Sequence, residues 1–445
     1  MDITHGSIFP KYVSFIIPMM LTYLLQYAFN SADMIVIGQF EGADSLAAVG
    51  STTVLVNLIV NFFAGLSNGV NITVATDYAG EKFDDVSKEV HTAMATGLLG
   101  GVIFGVIGIL SSRPLLTLMQ SPDNVIDLSV AYLFAYYIGM PGLVLYNFSA
   151  AILRAIGDTR RPMNYLIFSG ILNVVLNLFT VIVLGLGVVG VGIATSVSNY
   201  ASAFLTMRAL IKEDSCLKLT LRNIGIQKDV FKPMMKTGLP VGLQGSIFSI
   251  SNIMIQSCIN GFGSVYMAGN SASQSLEGFQ QGLMNANANT LLTFTSQNVG
   301  AKKWLRARKC IKDIMIWGCV GTLVFGIVMV IFNKPLLGLF TNDPEAMSVA
   351  MRRLQPMALF AFLGIIMDGM ANGLRGFGYS IEPMVATLIG ACAFRILWLM
   401  TLFVLFPVYE MTFIVWPVSY VVTAIAEGII LKKKLRRFPK HDLEF

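Results

Sequence analysis

One acid stands inside an apolar run where a charge is expensive. The stretch from Phe15 to Ile37 is long enough to cross a bilayer as a helix, and Asp33 sits near its far end. An ionised carboxylate inside a membrane helix costs about 2.5–3.5 kcal/mol on insertion scales, so its presence points to function. Two asparagines, Asn173 and Asn177, stand at i,i+4 on one face of a later apolar run, and Thr195 lies in the run after that. Together they offer a carboxylate, two amide carbonyls and a hydroxyl. These are hard oxygen ligands, suited to a proton relay or to Na+ and to no soft metal. Asp33 has no basic mate away from the ends of the first six apolar runs. A proton or a bound cation must therefore neutralise it. The competing reading is that the asparagines only bind helix to helix.

The second half of the chain carries a different polar load. Gln244, Asn252, Gln256, Gln274, Gln280, Gln281, Asn285, Asn287 and Asn289 crowd two successive apolar runs, with Glu277 among them. Asp368 and Arg395 are its other interior charges, and Arg395 is expected to pair with Asp368 or Glu277. Glu427 lies near the end of the last run, where snorkelling to the surface would explain it. Tyr27, Asn30, Gln244, Gln274, Glu277, Phe279, Gln281, Asp368 and Arg395 are the expected lining of a cavity for small-molecule substrates. Aromatic faces and the chain's 24 methionines supply soft, adaptable surface for flat or cationic ligands. The five cysteines are scattered without a CxxC pair, which argues against a disulfide framework or a zinc site. No cofactor is expected, and no metal beyond Na+ as the alternative to a proton at Asp33. No nucleophile and base, and no DxxxD acid pair within the predicted spans, suggests an enzyme.

The elements that must position these groups follow from composition. The chain has 445 residues, 55% of them hydrophobic and 13% charged, against about 25% charged in soluble domains. Twelve membrane spans are predicted: 13–37, 47–76, 91–112, 127–150, 163–185, 188–212, 235–259, 267–297, 310–332, 347–372, 384–406 and 411–431. No cleavable leader precedes the first, so it is expected to stay in the mature chain. All but five of the 31 Lys and Arg lie in, or border, the N-terminal tail, the even-to-odd loops and the C-terminal tail; the exceptions are Arg113, Lys334, Arg352, Arg353 and Arg395. The positive-inside rule then puts both termini in the cytoplasm of a multi-pass cell-membrane protein. It also makes the net charge of +6 a topology anchor in a lipid bilayer, with no nucleic-acid partner.

The two halves repeat. Leu153-Arg-Ala-Ile-Gly157, then Pro162-Met163, returns as Leu374-Arg-Gly-Phe-Gly378, then Pro383-Met384. Arg113-Pro-Leu-Leu116 returns as Lys334-Pro-Leu-Leu337, Gly80-Glu-Lys82 as Gly300-Ala-Lys302, and Pro18 as Pro240. Six spans per half return the chain to its starting side, so the repeats are parallel, an arrangement suited to alternating access. The expected fold is all-α: twelve transmembrane helices in two pseudo-symmetric six-helix lobes around a central cleft. Its parts are an N-lobe over 1–212, a cytoplasmic connector over 213–234, a C-lobe over 235–431 and a basic tail over 432–445. A monomer is expected. Pro18 and Pro240 should bend the first and seventh spans.

These segments resemble the MATE (multidrug and toxic compound extrusion) family over nearly the whole chain. The resemblance rests on Asn30-Ser-Ala-Asp33 leading to Gly38, Leu46-Ala-Ala-Val-Gly50, Leu153-Arg-Ala-Ile-Gly-Asp158, Gly190-Val-Gly-Ile-Ala-Thr195, Gln297-Asn-Val-Gly-Ala-Lys302 and Leu374-Arg-Gly-Phe-Gly378. Each is short; order, spacing and duplication carry the match. It implies export of organic cations against a proton or sodium gradient, with Asp33 at the coupling position and Asn173 and Thr195 at neighbouring polar positions. Two departures stand out. Asn177 occupies a position where family members often have a second aspartate. The NorM-like branch has a glutamate near Phe248 and its aspartate one turn before Asp368, so that branch's sodium site is not carried over. The rival readings are a major-facilitator carrier, a MATE-related lipid or oligosaccharide flippase, and a membrane enzyme. The acidic Gly80–Lys88 loop argues against the first, and a flippase would need a more basic cavity than Arg395 alone provides.

Overall fold

In the computed structural model, the described residues are 2–41, 43–119, 123–341, 343–439 and 441–442. Within them the side chains of residues 43, 44, 46, 47, 54, 123 and 124 lie outside the description, so the Leu46-Ala47 part of the Leu46–Gly50 motif does too. So do Lys440 and residues 443–445 of the predicted tail.

In chain order the helices are α1 (Ile8–Phe40), α2 (Ala43–Ala79), α3 (Phe83–Leu118), α4 (Asp123–Ile138), α5 (Met140–Ala155), α6 (Arg160–Leu178), α7 (Gly187–Ile211) and α8 (Lys228–Asn260). Then come α9 (Ser264–Gly300), α10 (Trp304–Ile331), α11 (Asn333–Leu337), α12 (Pro344–Phe360), α13 (Phe362–Gly376), α14 (Ile381–Thr387), α15 (Phe394–Met400), α16 (Leu402–Leu405) and α17 (Met411–Leu435). Two π-helical turns, Phe179–Val183 and Leu388–Ala393, follow α6 and α14. No strand occurs among the described residues. Among the described residues, nine helices are long and apolar enough to span a membrane, and the bent pairs α4–α5 (46°) and α12–α13 (44°) raise this to eleven. The eighth predicted span is α9, 37 residues long but too rich in Gln, Asn and Ser to join that set.

The chain divides into two compact units, and the divisions fall inside helices. Leu24–Gly242 belongs to the first, and Ile3–Tyr23 with Leu243–Phe445 to the second. Each cut lies a few residues beyond a helix proline, Pro18 in α1 and Pro240 in α8, while both helices run on without a break. The first part of α8 belongs with the first unit for a steric reason. Gly65 and Gly69 of α2 meet Gly242 and Gly238 of α8 backbone to backbone; a Cβ on Gly65 would lie 2.3 Å from the Gly242 nitrogen. Two facing small-xxx-small pairs allow this approach. Around it the first unit buries Phe63, Val70, Met94 and Phe148, and the second buries Phe15, Phe294, Ile314 and Leu374.

The sequence repeat is also a conformational repeat. α5 ends with Gly157 at φ +85°, the Asp158 N–H donating to the Leu153 carbonyl at 3.0 Å. α13 ends with Gly378 at φ +84°, the Tyr379 N–H donating to the Leu374 carbonyl at 3.0 Å. A left-handed residue closing a six-to-one bond is a Schellman end, which favours glycine. The turns after α2 and α9 match as well, with Glu81 and Lys302 at φ +58° and +55°. In the first of these turns a hydrogen bond to Asp77 raises the pKa of Lys82 above its usual value.

The segment between α7 and α8 is docked on α3. Leu217 and Leu219 are buried, the Thr220 N–H donates to His91 Nε2 at 3.0 Å, and the Gln227 N–H donates to Thr92 Oγ1 at 3.2 Å. Residues 228–234, read from the sequence as connector, form the first turns of α8.

Candidate functional site

The first unit collects its polar residues at one place. α1 carries Asp33, α6 carries Asn173 and Asn177, and α7 carries Thr195. The one-turn spacing of the two asparagines sets both amides toward the neighbouring helices. Asn177 Nδ2 donates to Asp33 Oδ1 at 2.5 Å and to Asn173 Oδ1 at 3.3 Å. Asn173 Nδ2 then donates to Thr195 Oγ1 at 3.3 Å. Thr195 is also a polar neighbour of the Asp33 carboxyl, with Tyr132 and Tyr136 nearby. The four residues expected to act together do lie together.

The cluster is partly enclosed, and its acid has no basic partner among the described residues. Asn173 and Asn177 are buried, Asp33 and Thr195 half-buried, and no salt bridge to Asp33 occurs among the described residues. One oxygen is left over. Asn177 Oδ1 is buried and accepts no hydrogen bond. A buried carbonyl oxygen without a donor costs about 1–3 kcal/mol. It stands within one side chain of a carboxylate, so a protonated water or a small hard cation there would meet an oxygen-rich neighbourhood.

In the second unit the charges are arranged otherwise than expected. Arg395 is fully buried, yet no carboxylate lies within salt-bridge reach of it among the described residues. The acid-bound arginine is Arg353 of α12, whose Nε and Nη2 donate to Glu277 Oε1 and Oε2 at 2.8 and 2.9 Å. The expected Arg395 pairing therefore fails, because Glu277 has both oxygens engaged by Arg353 and a further bond from Ser273. Asp368 is half-buried beside a second arginine, Arg375, which donates to Asn372 Oδ1 at 3.0 Å and to Gln244 Oε1 at 2.7 Å. That arginine is buried. Glu427 is likewise fully buried and accepts from Thr387 at 2.8 Å, so snorkelling does not describe it.

Of the other expected lining residues, Asn30 and Gln274 are exposed, and Tyr27, Phe279 and Gln281 are half-buried. Gln281 donates to Asn285 at 3.3 Å. Sequence reading missed Arg353 and Glu89. Arg353 lies within a predicted span but near its end, and Glu89 lies two residues before the predicted third span; both are buried. Among the described residues no group of three or more His, Cys, Asp or Glu is placed to hold a metal ion.

The comparisons agree with this architecture. A family model described as MatE matches the chain twice, over residues 18–179 and 240–401. The chain is 28% identical over 401 residues to the "Probable multidrug resistance protein YpnP" of Bacillus subtilis, covering 88% of each. It is 23% identical over 443 residues to the "Multidrug export protein MepA" of Staphylococcus saprophyticus, covering 96% of this chain and 93% of that one. Among solved structures, a multidrug resistance MATE family transporter of the MOP superfamily matches with a TM-score of 0.90 at 20% identity. That match covers 98% of this chain and 97% of that one.

Proposed function

The chain belongs to the MatE family of multidrug efflux transporters, and from that premise we propose that it is a secondary antiporter. It exports organic, drug-like compounds across the cell membrane by alternating access, in exchange for protons or sodium ions. Asp33 takes and releases the coupling ion, and Asn173, Asn177 and Thr195 position it. Both termini face the cytoplasm, the protein acts as a monomer, and it performs no covalent chemistry.

The observation that carries the reading is the Asp33–Asn177–Asn173–Thr195 chain of hydrogen bonds, ending in a carboxyl with no cation mate among the described residues and beside an oxygen with no donor. A carboxylate so placed is stabilised by a bound proton or hard cation. Binding shifts a conformational equilibrium only if the ion favours one state over the other. Asp33 meets that condition when the two states of α1 solvate its charge differently. One elementary charge moved through 100 mV supplies about 2.3 kcal/mol, enough to hold a substrate ratio near fiftyfold.

The test is flux in proteoliposomes under a proton gradient and a sodium gradient imposed separately. Uphill export of a cationic dye under one of the two identifies the coupling ion. No uphill export under either would refute the antiport reading.

A further inference from the structure

Arg395 is the least satisfied charged group among the buried arginines. Arg353 has Glu277, and Arg375 has two amide oxygens. Arg395 donates from Nε to Ser419 Oγ at 3.0 Å, while Nη1 and Nη2 are buried and donate to nothing. The Tyr420 phenol lies beside the guanidinium but outside hydrogen-bonding geometry. The serine is saturated as a donor, since its own hydroxyl donates to the Trp416 carbonyl at 2.8 Å. A third idle donor stands at the same place. Trp416 stacks on the guanidinium, 3.9 Å from ring centroid to Cζ, and its indole Nε1 is also buried without an acceptor.

Aromatic rings form the rest of the wall. Phe248 of α8 and Tyr420 of α17 present their rings 5.1 and 5.6 Å from the same carbon. Cation–π contact offsets part of the cost of burying the charge but supplies no acceptor for its hydrogens. Among the described residues no acid lies within salt-bridge reach of it: Glu277 is held by Arg353, Asp368 lies toward Arg375, and Glu427 accepts from Thr387. Depth adds to the argument. At 1.5 Å per residue, Arg395 lies roughly 20 Å from the Ile381 end of its span and roughly 15 Å from the Leu405 end, too far inside for either end to bring it to water.

We propose that Arg395, Trp416, Phe248 and Tyr420 form a binding site for the carboxylate of an aromatic organic acid or zwitterion. Nη1 and Nη2 of a guanidinium match the two oxygens of a carboxylate in a planar fork, and the indole N–H adds a donor at the edge. The rings now lie against the guanidinium, so an aromatic body attached to the carboxylate enters only as they part, and then packs on their faces. The site extends the substrates of the transport reading, on which its cargo role rests, from cations to compounds carrying an anionic head.

The experiment measures binding apart from transport. Radiolabelled 1-naphthoate and its neutral counterpart 1-naphthamide are equilibrated with the purified full chain in lipid nanodiscs. The acid is expected to bind at least tenfold more tightly than the amide. Arg395→Gln should erase that preference, Arg395→Lys should restore part of it, and Trp416→Phe should weaken the acid about threefold while leaving the amide unchanged. Equal binding of acid and amide by the wild-type chain overturns the proposal, as does an acid preference that survives Arg395→Gln. Displacement of 1-naphthoate by millimolar chloride also overturns it, since it would mark a halide site. If Arg395→Gln does not fold, the wild-type preference and Trp416→Phe decide alone. A flux arm in proteoliposomes separates the two readings. Selective binding of 1-naphthoate with no export of any compound leaves the site standing and removes the antiport reading, whereas dye export without acid-selective binding does the reverse.

Discussion

Replacing Glu277 by glutamine keeps the shape of the side chain and removes the counter-charge of a buried arginine. Arg353 is 2% exposed and Glu277 16%, and they meet through two parallel hydrogen bonds at 2.8 and 2.9 Å. Breaking such a pair from one side costs about 3–5 kcal/mol, because a desolvated charge is left behind. At about 2–4 °C per kcal/mol for a unit of some 200 residues, the thermal midpoint should fall by roughly 10 °C. The double variant Glu277→Gln, Arg353→Met removes both charges and should recover most of that loss, since replacing a whole buried pair by apolar groups is often neutral. The assay is thermal unfolding of detergent-solubilised protein followed by size-exclusion fluorescence, with dye export measured on the same variants. A Glu277→Gln protein as stable as wild type would refute the reasoning. So would a double variant less stable than the single one. Coupled export by the double variant would show that Glu277 serves the fold and does not carry the coupling ion.

The remaining predictions concern packing, the polar cluster and the cytoplasmic segment. Gly65→Ala and Gly69→Ala each put a methyl within about 2.5 Å of α8 backbone atoms and should destabilise by about 1–3 kcal/mol or abolish folded expression, whereas Gly185→Ala meets no neighbour and tests only its positive φ. Asn177→Asp places a second carboxylate beside Asp33; export should persist with steeper dependence on the coupling ion, and unaltered ion dependence would show that Asn177 lies outside the ion's reach. His91→Ala removes the acceptor of the Thr220 N–H, worth about 1 kcal/mol, so hydrogen exchange at that amide should quicken roughly fivefold.

Much of the fold can be read from the chain because membrane spans are long, uniform and duplicated. Leu153–Gly157 and Leu374–Gly378 return as matching Schellman ends because the same Arg and Gly positions impose the same local geometry. What is not legible is which helix a span joins. The division within α8 depends on contacts such as Gly65 against Gly242, and a glycine-rich pattern does not name its partner. The Asp33 cluster was legible because Asp33 is the one acid in its apolar run and the two asparagines share one helix face. The C-terminal charges were not, for Arg395 lies deep in its predicted span and was the expected mate, while Arg353 lies near a span end. Arg353 wins because α12 packs along α9, whereas Arg395 is enclosed by aromatic rings. Glu427 misled for a related reason: closeness to a basic tail suggests water, but Thr387 holds it inside.

The central claim is that Asp33 couples ion movement to export, and one variant separates coupling from carriage. Asp33→Asn keeps size and hydrogen-bonding capacity but cannot ionise. In proteoliposomes, a one-unit pH gradient or a tenfold sodium gradient supplies about 1.4 kcal/mol, a tenfold substrate ratio at one ion per substrate. For the wild type, whichever ion couples should drive accumulation toward that ratio. For Asp33→Asn, we predict that dye binding and gradient-free exchange persist while the ratio under either gradient falls to one. Gradient-driven accumulation by Asp33→Asn at the wild-type ratio, with equal protein in the vesicles, would contradict the account and place coupling elsewhere.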